Sequence, residues 1–135
     1  MQRKKQTSAP CATTSFGKGS IVMTTNDLCE KLSLEKLSKA ADREVASCYI
    51  SDLLSRVLGG CQSGDIWITV QSSLNMVAVA MMTDASCVIL PEGLTASDNV
   101  IEKANEEGLT IFTSEDSAFS LAIKIAELVA VDSTD

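Results

Sequence analysis

The sequence predicts an α/β fold, a single-domain layered sandwich with a mostly parallel sheet and flanking helices. Short apolar runs of strand length alternate with segments that carry a helical apolar stripe. No Asn-Gly or Asp-Gly hairpin turn occurs in the chain, so helical crossovers are expected to join the strands. A chain of 135 residues is long enough for one domain with its own core.

The central segment, residues 44–73, is predicted to form a strand, a helix and a second strand. Gly59 and Gly60 are expected to end this helix as a C-cap, because they are not part of a G-x-G-x-x-G fingerprint. Polar residues follow both strands. In an α/β fold, ligands are bound at the carboxyl ends of the strands, so a site is expected here.

Two further strands and a helix follow along the chain. Residues 86–90 (SCVIL) and 109–112 (LTIF) are apolar runs of strand length. Between them, Val100, Ile101 and Ala104 give a helical stripe to residues 97–107. Each apolar run is therefore expected to be a buried strand of a parallel sheet.

Two predicted helices carry few charges. Residues 74–82 (LNMVAVAMM) contain no charged side chain, and residues 118–131 contain only Lys124 and Glu127. A surface helix normally has a charged outer stripe, so we expect a second subunit to cover these helices and predict a homodimer. The alternative is that the two helices and the N-terminal segment cover each other within one chain. The residues predicted for the dimer interface are Met76, Val77, Val79 and Met81.

Charge divides the chain into a basic extension and an acidic body. Residues 1–22 hold Arg3, Lys4, Lys5 and Lys18 and no acid, which leaves 7 basic and 18 acidic residues in 23–135, a net charge of −11. The extension is rich in Ser, Thr, Lys and Gly and is predicted to be disordered, with the domain at residues 23–135. A transit peptide, or an upstream start before Met23, would have the same composition. The acidic body argues against nucleic acid as a partner.

Hydropathy predicts a cytoplasmic protein with no membrane partner. The longest uninterrupted apolar stretch, residues 76–82, is much shorter than a membrane span. No basic region followed by an apolar segment suggests secretion.

The cysteine pattern does not predict a metal site or any cofactor. The five cysteines (Cys11, Cys29, Cys48, Cys61 and Cys87) contain no C-x-x-C pair, and the chain has no histidine. Cys48 and Cys87 fall inside predicted strands, where a free cysteine behaves as a small buried apolar residue.

Catalytic signatures are mostly absent, and the chain is not expected to be an enzyme. The Gly17-Lys18 pair lacks the preceding glycine and the following Ser or Thr of a phosphate-binding P-loop. A cysteine nucleophile, at Cys48 or Cys61, would lack a histidine base.

Polar residues after the strands form a candidate ligand site. A helix N-terminus binds anions through its free amides and its dipole, and the segment after the second strand carries no acid to repel one. The alternative is that these residues only cap helices. Glu115 and Asp116, after the last strand, would repel an anion. The predicted ligand-binding residues are Thr69, Gln71, Ser72, Ser73 and Asn75, with Asp52, Glu92 and Gly93 flanking them if the strands are neighbours.

Residues 42–93 resemble a DRTGG domain. Three blocks carry the resemblance: E-V-x-x-x-Y-I-S-D-L-L-S at residues 44–55, G-D-x-W-I-T at residues 64–69, and N-x-V-A-V-A at residues 75–80. The chain is most similar to small stand-alone members of anaerobic bacteria, which are often encoded beside iron-only hydrogenase subunits and histidine-kinase-like proteins.

The resemblance implies an α/β sandwich and a non-catalytic regulatory or interaction module, acting on a redox or signalling partner. The alternative function is a small-ligand sensor for an adenine nucleotide or another anion. Some members are labelled serine kinases through similarity to the N-terminal domain of HPr kinase, but the catalytic half with its P-loop is missing here.

The chain departs from the family pattern at both name-giving motifs. Val70, Gln71 and Ser72 stand where fused members have Gly-Asp-Arg. Residues 91–93 (Pro-Glu-Gly) stand where those members have Thr-Gly-Gly. The missing arginine would have been the strongest phosphate-binding group, so any nucleotide is expected to bind weakly.

Overall fold

The computed structural model describes residues 22–129 as one α/β unit with five helices and five strands. The predicted fold class is confirmed. The basic extension of residues 1–22 lies outside the described residues except for Val22, and residues 130–135 also lie outside them. The strands are β1 Glu35–Lys36, β2 Cys48–Ile50, β3 Ile66–Ile68, β4 Cys87–Leu90 and β5 Thr110–Thr113. The helices are α1 Thr25–Leu32, α2 Leu54–Gly60, α3 Leu74–Thr83, α4 Asp98–Glu107 and α5 Ala118–Leu128.

The five strands form one sheet in the order β1-β5-β4-β3-β2. Strands β2 to β5 are parallel, and β1 pairs antiparallel with β5 at one edge. The predicted mostly parallel sheet is therefore confirmed. The four parallel strands lie side by side in sequence order, so right-handed crossovers place α2, α3 and α4 on one face.

Alternation of side chains along the strands divides the core into two layers. Trp67, Val88 and Ile111 face α2, α3 and α4. Their neighbours in sequence point the other way, because successive side chains of a strand alternate between the faces. Ile68 and Phe112 accordingly pack with α1 and α5. The sheet is thus covered on both faces within one chain.

The placement of α3 and α5 corrects two parts of the dimer prediction. These helices lie on opposite faces of the sheet, so they cannot contribute to one shared contact. Met76, Val77 and Val79 are buried in the core of the chain itself, with at most 5% exposure. They cannot face a partner. Met81, at 38% exposure, remains available to a second subunit.

The first helix and strand were not predicted. Helix α1 begins with a capping box, in which the Thr24 side chain accepts from Asp27 N and the Asp27 carboxylate accepts from Thr24 N. It ends at Ser33, which has a left-handed backbone. Strand β1 has only two residues, both exposed, so it has no apolar run by which the sequence could show it.

Gly60 ends α2 as predicted, but not through a left-handed cap. Neither Gly59 nor Gly60 has a positive φ. A Cβ on Gly60 would lie 2.7 Å from Cε1 of Tyr49, whereas a Cβ on Gly59 would meet no atom within 4 Å. Gly60 is therefore required by the close approach of an aromatic ring from β2.

None of the described helices is long and apolar enough to cross a membrane.

Candidate functional site

The predicted ligand-binding residues lie at the carboxyl edge of the sheet. Strand β3 lies between β2 and β4, so the loop that begins at Thr69 has the loops at Asp52 and Glu92 as its neighbours. Asp52 and Glu92 were predicted to flank the site only if their strands are neighbours of β3, and the strand order shows that they are. The site itself stays a prediction.

A hydrogen-bonded cluster joins the loops after β2 and β3. The Asp52 carboxylate accepts from Thr69 Oγ1 and from Val70 N, each at 2.8 Å. Gln71 donates two further hydrogen bonds within this cluster. Its backbone N–H donates to Thr69 Oγ1 at 3.1 Å, and its side-chain amide donates to the backbone oxygen of Asp52 at 2.8 Å. These polar groups therefore satisfy one another, and three of the predicted ligand contacts have a structural role.

The beginning of α3 has different properties. Ser73 is the N-cap residue with an extended backbone, yet its side chain makes no cap hydrogen bond. No acidic residue lies in the first turn, and Ser73 and Asn75 are exposed. By contrast, the Ser117 hydroxyl caps α5 by accepting from Ser120 N at 3.1 Å. Met76 N donates to Ser73 O at 3.0 Å, and the amides of Leu74 and Asn75 remain available to an external acceptor.

Glu92 and Gly93 are bound to the loop after β5. Glu92 N donates to Asp116 O at 2.8 Å, and Gly93 N donates to Ser114 O at 2.7 Å. Both residues have a left-handed backbone, with φ of 60° and 71°. These bonds join the loops after β4 and β5, at the point where the following helices, α4 and α5, pass to opposite faces. Such a point is where ligands usually enter an open α/β sheet.

Two of the cavities formed by the described residues, neither predicted from the sequence, lie beside helices. One, of about 490 Å³, lies between α1, α5 and the loop after β5, and its lining mixes acids with two lysines. Lys124 Nζ lies 2.7 Å from the Asp116 carboxylate inside it. The other, of about 510 Å³, is an apolar groove between α3 and α4. Their linings come from segments distant in sequence, so no local pattern could have indicated them.

The described cysteines are all free thiols. Cys48 and Cys87 lie in strands, as predicted. Burial raises the pKa of each of these two thiols to about 12. Burial also raises the pKa of Cys61. Since the thiolate is the nucleophile, these thiols are poorly suited to covalent chemistry near neutral pH.

Within residues 22–129, no group of three or more His, Cys, Asp or Glu side chains is arranged to hold a metal ion.

No family model and no curated protein matches the sequence. The structure is similar to a crystal structure of the CBS and DRTGG domains of the regulatory region of Clostridium perfringens pyrophosphatase, complexed with the activator diadenosine tetraphosphate. The TM-score is 0.63 at 18% sequence identity, and the match covers 78% of this chain. The chain has a DRTGG-type fold. It spans 46% of the length of that neighbour.

The DRTGG-type fold brings the two departures from the family pattern to the same edge of the sheet. Residues 70–72 follow β3, and residues 91–93 follow β4, its neighbour. Residues 70–72 are bonded to the loop after β2 through Asp52. Residues 91–93 are bonded to the loop after β5.

Proposed function

We propose that this protein is a non-catalytic regulatory module that acts by binding a partner protein. The observation that carries this proposal is the hydrogen-bonded cluster of Asp52, Thr69 and Gln71 at the carboxyl edge. Where an α/β enzyme would direct reactive side chains at a substrate, these groups bind one another. The chain also has no histidine, and burial raises the pKa of its candidate nucleophiles, Cys48 and Cys61.

The finer proposal is a homodimer that acts on a redox or signalling protein. An iron-only hydrogenase is the partner that the resemblance to stand-alone DRTGG proteins favours. Surface plasmon resonance of the purified chain against purified hydrogenase subunits should give saturable binding. A flat response at tens of micromolar would remove hydrogenase from the proposal.

A second candidate function is a sensor for an adenine nucleotide or another anion. The uncapped N-terminus of α3 favours it, because its amides have no side-chain acceptor and no neighbouring acid in the first turn. The structural neighbour is described as complexed with a nucleotide activator, which makes adenine nucleotides the first ligands to test. Binding is expected to be weak, because no arginine lies in the loop after β3.

Amide chemical shifts measured during an ATP titration would test the sensor function. Shifts confined to residues 69–75 and 91–93 are expected, and no shifts at millimolar nucleotide would leave these residues as structural groups. A matched pair of variants sharpens the result. Ser73→Asp places a carboxylate at the start of α3, so it should abolish the shifts while preserving stability. Ser117→Asp, at the capped α5, should leave the shifts intact.

A further inference from the structure

The outward side of α3 carries an apolar stripe. This helix packs between α2 and α4 and contains no charged residue. Leu74, Ala78 and Met81 are spaced as i, i+4 and i+7, so they lie on one side of the helix. All three are exposed, and Met82 beside them is 67% exposed. The stripe therefore lies outside the core of the chain.

The apolar groove of about 510 Å³ runs between this stripe and α4. Its lining residues are Leu74, Val77, Ala78, Met81, Lys103 and Glu107. Ala78, the smallest of them, lies between Leu74 and Met81 along the stripe. Anchors spaced as i, i+4 and i+7 beside a second helix match the way in which an amphipathic helix binds in a groove. The ten residues of α3 give the groove a length of about 15 Å, or about three helical turns.

The groove is better suited to a protein than to a small molecule. Sites for small ligands bury most of the ligand surface. Leu74 is 47% exposed and Met81 is 38% exposed, so the stripe faces outward and does not enclose a ligand. Exposed apolar patches mark interaction surfaces, and methionine side chains adapt to the shape of a partner.

The α4 side of the groove has an excess of acid at its end. Glu106 and Glu107 are the last two residues of α4, and its last turn has no basic residue. Carboxylates at a helix C-terminus oppose the helix dipole. Lys103 Nζ lies 3.2 Å from the Glu107 carboxylate and 3.8 Å from that of Glu106, so one ammonium group offsets two carboxylates. A local placement that costs stability indicates a role outside the helix, and a basic group of a partner would offset the remaining charge.

The chain itself does not supply a suitable occupant. A second copy is disfavoured, because the body of residues 23–135 has a net charge of −11 and two such bodies repel each other. Residues 1–22 are basic but have no periodic apolar face. Met23 and Val129, near the two ends of the described chain, pack with α1 and α5 on the opposite face of the sheet. The occupant must combine an apolar stripe with basic charge.

We propose that the groove between α3 and α4 binds an amphipathic helix of a partner protein. The apolar stripe of that helix packs on Leu74, Ala78 and Met81, and its basic residues lie beside Glu106 and Glu107. This inference rests on the proposed function, a regulatory module that binds a partner protein, and it names the surface and the kind of partner.

Fluorescence anisotropy of a labelled peptide, titrated with the full chain, tests the proposal. The probe is a helical peptide of about 14 residues, with leucines at i, i+4, i+7 and i+11 and lysines on both flanks. Saturable binding at micromolar protein is expected. Ala78→Lys and Met81→Lys should each weaken binding by about tenfold or more. Leu74→Lys replaces either variant if that variant loses the native circular dichroism spectrum.

Ile123→Lys is the matched control for these variants. Ile123 is 47% exposed on α5, which packs on the opposite face of the sheet, and the substitution makes the same change of charge. It should leave peptide binding unchanged. Weakening by Ile123→Lys as large as that by Met81→Lys would show an effect of net charge alone and overturn the groove as the site.

A second pair of variants tests the basic charge of the partner. Glu106→Gln with Glu107→Gln should weaken binding of the lysine peptide by roughly three- to tenfold and reduce its dependence on salt. Glu30→Gln with Glu127→Gln makes the same change of charge on α1 and α5 and should have little effect. A peptide with glutamates in place of the lysines should not bind. Equal binding of the two peptides would overturn the basic character of the partner.

The remaining outcomes separate the groove from the proposed function. If hydrogenase subunits bind the wild type and Met81→Lys equally in surface plasmon resonance, the regulatory function stands and the groove is rejected. If the lysine peptide does not bind but the subunits bind only the wild type, the groove stands and a basic helix is rejected. A wild-type dimer that dissociates in Met81→Lys, measured by light scattering, would assign the groove to a second copy and overturn the proposal.

Discussion

Asp52 and Thr69 are joined by a 2.8 Å hydrogen bond that connects the loops after two neighbouring parallel strands. Thr69 is 2% exposed, and its hydroxyl also accepts from Gln71 N. The hydroxyl is thus both donor and acceptor in a nearly buried position. This arrangement fixes the path of the chain from β3 into α3, and with it the direction in which the α3 amides point.

Thr69→Val is expected to destabilise the fold by about 1–2 kcal/mol, because it removes both hydrogen bonds of the hydroxyl while preserving its shape. Asp52→Ala should also destabilise it. The double variant should lose less stability than the sum of the two, because both substitutions break the same bond. Urea unfolding of the four proteins measures this coupling. Strict additivity of the two losses of stability would contradict the cluster. The control variant Glu102→Ala, on an exposed part of α4, should change stability little.

Gly60→Ala and Gly59→Ala should have opposite effects on stability. Alanine at Gly59 meets no atom and should stabilise α2 by up to about 1 kcal/mol. Alanine at Gly60 would push against Tyr49, which is held by its hydroxyl bond to Arg56 O at 3.2 Å. A loss of about 1–2 kcal/mol is expected there. Thermal unfolding measures both, and the loss should disappear in a Tyr49→Leu background. Stabilisation by both alanines would show that Tyr49 moves freely.

The periodicity of the sequence was sufficient to predict four strands, because each is a short apolar run between helical stripes. It could not predict β1, whose two charged residues are placed by pairing with Thr113 and Phe112 far along the chain. The prediction that Met76, Val77 and Val79 face a partner was wrong for a related reason. The uncharged face of α3 indicates burial, but only the tertiary structure shows that α2, α4 and the sheet supply most of the cover.

The candidate site was predictable to a similar extent. The polar residues at the ends of the strands are recognisable in the sequence, since loops at that edge come together in any parallel sheet. Which of them bind each other is not recognisable. The bonds from Asp52 to Thr69 and Val70 join residues 17 and 18 positions apart, and they depend on the register of β2 against β3.

Glu92 has a left-handed backbone with φ of 60°, a conformation in which a Cβ is unfavourable. Glu92→Gly should therefore leave stability unchanged or raise it slightly, because relief of strain offsets the greater freedom of glycine in the unfolded chain. Glu92→Val, with a branched Cβ, should destabilise by more than about 1 kcal/mol. Differential scanning calorimetry would resolve the two. Equal stability of the glycine and valine variants would argue against strain at this turn.

Alkaline pH should destabilise the fold through Cys87. Burial raises the pKa of its thiol from 9.0 to about 12, so between these values the unfolded state loses a proton that the folded state keeps. The contribution is absent below pH 9, and stability falls as pH rises toward 12. Cys87→Ala should reduce the fall in the free energy of unfolding between pH 9 and pH 12, measured with urea, whatever it does to stability at pH 7. An unchanged alkaline slope would mean that Cys87 ionises equally in both states.

Purified protein is expected neither to hydrolyse ATP nor to phosphorylate a protein serine above background. The sequence has no P-loop and no histidine, and the loop after β3 has no lysine or arginine to neutralise a transferring phosphoryl group. Asp52 Oδ1 accepts from both Thr69 and Val70, which ties this carboxylate to the loop after β3. Release of radiolabelled phosphate provides the measurement, with Ser72→Ala as the diagnostic variant. Turnover that persists through purification and is lost in Ser72→Ala would assign catalysis to this edge and overturn the regulatory proposal.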